Sequence, residues 1–213
     1  MEKKVRNKKS FLLWIGLFLI IVSSTATILI LINNHSMKKT EQIMIEEFFV
    51  SDDNSNVEEI PKQENEIIVE TKNNDNSYNY MAILEIPGID LKKGLVSVDS
   101  KYNNVKYNVQ VMKESNMPNI LNGNFILAGH NGSSNVSYFK NLDKLKENDD
   151  IIIYYEGIKY IYTFNNSYEV DKDGAIPIYR NNSKNTITLI TCKKNSKTKQ
   201  LVYIGYLKDK AYY

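Results

Sequence analysis

Few of the residues that usually carry chemistry are present in this chain. Its 213 residues include one cysteine, Cys192, two histidines, His35 and His130, and two arginines, Arg6 and Arg180. A lone thiol excludes a disulfide within the chain, so no covalent staple supports the fold. Lysines are plentiful but scattered, with no basic stripe interleaved with aromatics, which excludes a nucleic-acid-binding surface. A thiol becomes a nucleophilic thiolate only with a base or an ion-pair partner, so two histidines narrow the choice sharply.

What is present begins with a long apolar run. Phe11 to Ile32 carries no charge over 22 positions, enough helix to cross a hydrocarbon core of roughly 30 Å. Lys3, Lys4, Arg6, Lys8 and Lys9 precede it against the single acid Glu2, and such an excess holds its end of a first span in the cytoplasm. Residues 1–10 therefore read as a basic cytoplasmic tail, 11–32 as a transmembrane anchor, and everything after Ile32 as extracellular. The alternative is a cleaved signal peptide, although the run exceeds the usual apolar region of one and no small-x-small site follows cleanly. Either way the remainder lies outside the cytoplasm.

Residues 33–77 hold eleven acids against four lysines, with many Asn and Ser and no sustained period, and read as an acidic flexible tether. Within it, Ile43 to Val50 has the spacing of a short helix. Residues 78–213 have the composition of one folded domain. Met81 to Ile86 alternates as a strand into Pro87-Gly88, with Ile89-Asp-Leu-Lys-Lys as its expected partner. Asn124 to Gly129 is a short apolar strand ending at His130. Val136, Phe139, Leu142 and Leu145 predict an amphipathic helix, capped by Ser134 or Asn135. Asp150–Tyr155 and Ile158–Phe164 read as a hairpin across Glu156-Gly157. After a loop at 171–185, Thr186-Ile-Thr-Leu-Ile-Thr-Cys192 alternates as a buried strand, and Gln200 to Leu207 supplies the last. Seven or eight strands with one or two short helices predict a mostly β, mostly antiparallel closed barrel.

Cys192 thus sits where a buried strand meets a loop. His35 lies three residues past the span, where no rigid frame holds it near a thiol, which leaves His130 at a strand end before Asn131-Gly132. Each residue alone is ordinary, a half-buried histidine or a core thiol. Together, on an oxidising side where an unused reactive thiol is a liability, they point to a catalytic pair.

These residues resemble the sortases, cysteine transpeptidases that attach proteins to the Gram-positive cell wall or polymerise pilins. The matching pieces are Ala82-Ile-Leu-Glu-Ile-Pro87, Asn124-Phe-Ile-Leu-Ala-Gly-His-Asn131, Tyr138-Phe-Lys-Asn-Leu-Asp-Lys-Leu145 and Thr186-Ile-Thr-Leu-Ile-Thr-Cys192, in the family's order. The resemblance implies an eight-stranded sortase-type barrel behind a single N-terminal transmembrane helix, with Cys192 as nucleophile and His130 as acid/base. It further implies cleavage of a sorting signal similar to Leu-Pro-any-Thr-Gly through an acyl-thioester. The partners implied are surface proteins bearing that signal, a peptidoglycan precursor or pilin amine as acceptor, and the membrane.

One departure matters. Sortases normally carry an arginine on the strand after the cysteine, and here Gln200 stands at that position. Gln200 is therefore the expected third catalytic group, with Arg180 in the preceding loop as its rival. Neither an organic cofactor nor a metal is expected: Glu169-Val-Asp171-Lys-Asp173-Gly174 has the acidic alternation of a calcium loop but lacks the remaining ligands and reads as a solvated turn. The loop at 171–185 is too short for the helical insertion of class B, and no second span follows the barrel as in many class C enzymes, so a class D-like or general anchor type is favoured. Two other readings stand: a catalytically weak sortase-like binding domain, and a cysteine hydrolase that releases its product to water.

Overall fold

The computed structural model describes residues 2–53 and 79–213, so the part of the expected tether from 54 to 78 lies outside the described residues. Helix α1 spans Glu2–Asp53. Between Gly16 and Pro61 the sequence has no helix-breaking glycine or proline, and this is why the helix continues past Ile32 into a stretch expected to be an unstructured tether. Its apolar part is exposed, with Phe11, Leu13, Trp14 and Phe18 all more than 60% accessible. By length and composition it is able to cross a membrane.

The chain falls into two units, residues 1–42 and 43–213. In the second, the end of α1 packs through Ile45 and Phe49. Ile45 is buried, and the Phe49 ring meets Tyr154 edge-on at 5.0 Å and Tyr213 at 5.3 Å. The Lys92 ammonium lies 5.0 Å from the Phe49 ring centre. Burial, and secondarily the Glu85 carboxylate that accepts its hydroxyl hydrogen bond at 3.0 Å, pushes the Tyr154 phenol up to about 12.

Eight strands follow: β1 (Tyr80–Ile86), β2 (Leu91–Val96), β3 (Gln110–Val111), β4 (Asn124–Ala128), β5 (Asp150–Tyr155), β6 (Ile158–Asp171), β7 (Thr186–Cys192) and β8 (Lys199–Tyr212). Their order in the sheet is β2-β1-β5-β6-β8-β7-β4-β3. Every pairing is antiparallel except β4 with β7, which is parallel. Between β5 and β6, Glu156 and Gly157 both have positive φ, 50° and 70°, the twist a two-residue hairpin turn requires.

Inside the sheet, Leu84, Ile86, Leu95, Phe125, Leu127, Ile151, Ile153, Ile187 and Leu189 form one core, with the large rings of Tyr160 and Tyr162 fully buried in it. The two edge strands meet across a seam stitched by asparagine. Asn108 Nδ2 donates to the Gly94 carbonyl at 3.0 Å, Asn103 Nδ2 donates to Val98 and Val111 carbonyls, and the Val111 N–H donates back to Asn103 Oδ1. Edges closed by buried amide side chains give the nearly closed barrel that alternation predicted.

Two further expectations are corrected. Residues 134–145 do not form an α-helix. Turns occupy most of the stretch, and the one helical element is a 3-10 turn at Leu142–Lys144. Apolar residues spaced by three throughout (136, 139, 142, 145) match the three residues per turn of that tighter form better than 3.6. Ile89 is likewise not in the second strand but in a 3-10 turn, Pro87–Ile89, closed by Asp90 in the left-handed region at φ 53°.

Candidate active site

β7 is the strand that builds the site. Its odd-numbered residues Ile187 and Leu189 enter the core, so Thr186, Thr188, Ile190 and Cys192 lie on the outer face. On one side, β8 pairs Cys192 directly with Gln200, and Gln200 in turn pairs with Val170 of β6. Residues directly opposite project to the same face with Cβ atoms about 5 Å apart, so the Gln200 amide is a cross-strand neighbour of the thiol. Beneath the loop at 172–185, Val170, Val202 and Ile204 form a second small core with Tyr168, Ile176, Ile178 and Tyr206. That face is therefore a packed platform, and the thiol stands at its rim, neither buried nor fully exposed.

On the other side runs β4. Its parallel register sets Ala128 beside Ile190, and the Gly129 N–H continues the ladder to the Ile190 carbonyl at 3.0 Å. Because the two strands are parallel, His130, two residues past β4, and Cys192, the last residue of β7, lie at the same end of the pair. Side-chain bonds fasten the two strand ends. The buried Thr191 hydroxyl donates to the Gly129 carbonyl at 2.7 Å, and Asn131 Nδ2 donates to the Cys192 carbonyl at 3.0 Å. The His130 carbonyl accepts the Phe139 N–H at 3.0 Å, while its imidazole is exposed to solvent.

Position 129 must be glycine for this arrangement. A Cβ there would sit 2.7 Å from the Phe139 ring, closer than any side chain tolerates. The ring, fully buried, thereby supports the backbone immediately before His130.

The two candidates for a third group fall at opposite ends of β7. Gln200 is beside Cys192, whereas Arg180 sends its guanidinium to the start of the strand, donating to the carbonyls of Asn122 (3.1 Å) and Lys184 (3.4 Å) and to Thr186 Oγ1 (3.3 Å). Six residues of strand separate Thr186 from Cys192, roughly 20 Å.

Three nearby residues escaped the sequence reading. Asn131 bridges to the cysteine strand and leaves its Oδ1 buried with no hydrogen-bond partner. Thr191 locks β7 to β4. Lys172, just past β6, brings its ammonium to 3.9 Å from Cys192 Sγ. Three lysines of the neighbouring segments are paired with acids: Lys193 with Glu169, Lys194 with Asp143 at 2.8 Å, and Lys199 with Asp171 at 2.7 Å and Glu169 at 3.7 Å. Hydrogen bonding from Lys193 holds the Glu169 carboxyl below its usual range, and Asp171 raises the Lys199 ammonium above its own. Two acids of the calcium-like alternation, Glu169 and Asp171, are thus engaged by lysines. Among the described residues no group of three or more His, Cys, Asp or Glu side chains gathers to hold a metal.

Comparison with known proteins agrees with this architecture. The family profile described as Sortase domain matches residues 84–208. The sortase A of Bacillus anthracis is 32% identical over 120 residues, which cover 49% of this chain and 55% of that protein, so the chain spans about half the length of this relative. Among solved structures, Listeria monocytogenes sortase A superposes with a TM-score of 0.53 at 24% identity, covering 63% of this chain and 90% of that one. A Clostridium perfringens sortase D5 transpeptidase gives 0.52 at 24% identity over 62% and 80% of the two chains, and a Streptococcus agalactiae sortase C1 gives 0.54 at 25% over 61% and 68%. These neighbours span several sortase classes and leave the subclass open. With a profile match across most of the barrel and the same fold in each of these structures, the chain belongs to the sortase family.

Proposed function

We propose that the protein is a membrane-anchored cysteine transpeptidase that cleaves a sorting signal similar to Leu-Pro-any-Thr-Gly and transfers the protein bearing it to a cell-wall or pilin amine. The observation that supports this reading is the direct pairing of Cys192 on β7 with Gln200 on β8, with His130 two residues past the end of β4, the strand on the other side of β7. In the first half-reaction the Cys192 thiolate attacks the threonine carbonyl carbon, forming the S–C bond. The C–N bond to glycine then breaks, and the His130 imidazolium gives its proton to the departing amine. In the second half an acceptor amine attacks the thioester, neutral His130 takes its proton, and the thiolate leaves. Gln200 contributes a neutral N–H to the tetrahedral oxyanion from a rigid strand position.

The basic residues before the apolar stretch favour a cytoplasmic N-terminus, with residues 78–213 as the extracellular catalytic domain. The loop at 172–185 contains no helix, which fits a class D-like or general anchoring type better than one with a helical insertion there. The test is to incubate the full chain in detergent with a small library of sorting-signal peptides and weigh the protein. An acyl adduct on Cys192 that transfers to an added amine is expected. Binding without an adduct would make the chain a binding module, and an adduct that only hydrolyses would make it a hydrolase.

The same assay separates Gln200 from Arg180. Removal of one preorganised oxyanion donor typically costs about 10²–10³ in rate, so Gln200→Ala is expected to slow acylation about a hundredfold. Arg180→Ala is expected to leave acylation intact and to cost about 1–2 kcal/mol in thermal or urea unfolding, because the Asn122 and Lys184 carbonyls and Thr186 Oγ1 lose a charged donor. A hundredfold loss of rate in Arg180→Ala instead would move the oxyanion role to the guanidinium.

A further inference from the structure

An ammonium reaches the thiol from a position other than the one where the family's arginine is expected. We propose that Lys172 is the cation paired with the Cys192 thiolate, supplying from the end of β6 the positive charge that Gln200 does not. This rests on the transpeptidase reading above only in giving the thiolate its use.

Three observations carry it. The Lys172 ammonium lies 3.9 Å from Cys192 Sγ, within the range of a nitrogen-to-sulfur hydrogen bond. Its backbone is held in place, since the Lys172 N–H donates to the Thr198 carbonyl at 2.8 Å and the preceding residue, Asp171, pairs with Lys199 in the β6–β8 ladder. Lys172 follows Val170 by two positions, and Val170, Gln200 and Cys192 form one cross-strand row, so Lys172 shares their face. The charge is also uncommitted. Lys193, Lys194 and Lys199 each bind a carboxylate, whereas Lys172 meets none among the described residues.

An opposite charge within about 4–6 Å favours the ionised form of an acid, and only the thiolate is nucleophilic. Lys172 remains charged throughout and exchanges no proton. The thiol proton passes to His130, and the lysine stabilises the sulfur anion that results. Because the thioester sulfur is neutral, the pairing is absent in the acyl-enzyme and forms again as the thiolate leaves in the second half-reaction.

The experiment measures alkylation of Cys192 by iodoacetamide at pH 7 in the full-length protein, wild type against Lys172→Arg, Lys172→Gln and Lys172→Glu. Lys172→Gln is expected to react about tenfold more slowly, Lys172→Glu more slowly again, and Lys172→Arg near the wild-type rate. Raising the salt to about 1 M, where charges are screened within roughly 3 Å, should slow the wild type toward Lys172→Gln. All four proteins should melt together, because the side chain is exposed. Equal rates for Lys, Gln and Glu would overturn the pairing, as would failure of arginine to restore a rate lost in glutamine. Alkylation needs no sorting peptide, so its failure would leave the transpeptidase reading standing, and absence of an acyl adduct would leave the ion pair standing.

Discussion

Cys192→Ala is expected to form no acyl-enzyme, and its transpeptidation rate should fall by on the order of 10⁴-fold or more, to the background reaction. His130→Ala should fall to nearly the same floor. The reason is chemical interdependence. Without the thiolate there is no covalent intermediate, and without the imidazole the glycine amine must leave as an unprotonated anion. Groups that act as a unit give losses that do not add, so the double variant should be no slower than Cys192→Ala alone. Initial rates on a fluorogenic sorting-signal peptide, with and without an amine acceptor, provide the measurement. Transfer that survives Cys192→Ala would end the thioester mechanism. A His130→Ala enzyme within tenfold of wild type would remove the histidine from it.

Phe139→Ala is expected to be the most damaging substitution outside the reacting groups. The ring is fully buried, and truncating a buried Phe to Ala costs about 3–5 kcal/mol, a large part of the stability of an ordinary domain. It also presses on Gly129, and its own N–H donates to the His130 carbonyl, so the vacated space lies directly under the histidine loop. Urea unfolding should show a lower midpoint at unchanged slope, and kcat should fall even at temperatures where the variant is folded. Phe139→Leu, which restores most of the volume, should recover most of both. A variant that loses stability while keeping full kcat would mean that the ring supports the barrel but not the histidine.

How far the sequence announced this molecule depends on which force builds each part. β1, β4, β5 and β7 were legible as short runs of apolar and β-branched residues bounded by turn signals, the mark of strands buried largely on both faces. The places of Cys192, His130 and Gln200 at or just beyond strand ends follow from the strand pattern and the family motifs, which requires only that strands be located. β3 was not legible: two residues have no period, and the segment around it is held by Asn103 and Asn108 through hydrogen bonds to backbone, a pattern that hydrophobicity does not record. The helix expected at 134–145 failed because a spacing of three fits turns as well as helices. The extension of α1 to Asp53 was hidden by its acidic, asparagine-containing composition, although nothing in it breaks a helix. Lys172 could not be seen at all. Its place at the thiol depends on β6 running on to Asp171, alongside β8, a register that emerges only in the closed sheet.

The sheet order has a bearing on when the thiol acquires its surroundings during synthesis. The barrel consists of two runs, β2-β1-β5-β6 and β7-β4-β3, and β8 is what joins them. It is also the last strand in the sequence. Until it is laid down, Cys192 has no Gln200 across from it, and Lys172 has no Thr198 carbonyl to fix its backbone. A chain in which β8 has not yet been laid down therefore carries Cys192 without its cross-strand neighbour. The order of the strands makes the pairing of β8 the step that completes the surroundings of Cys192.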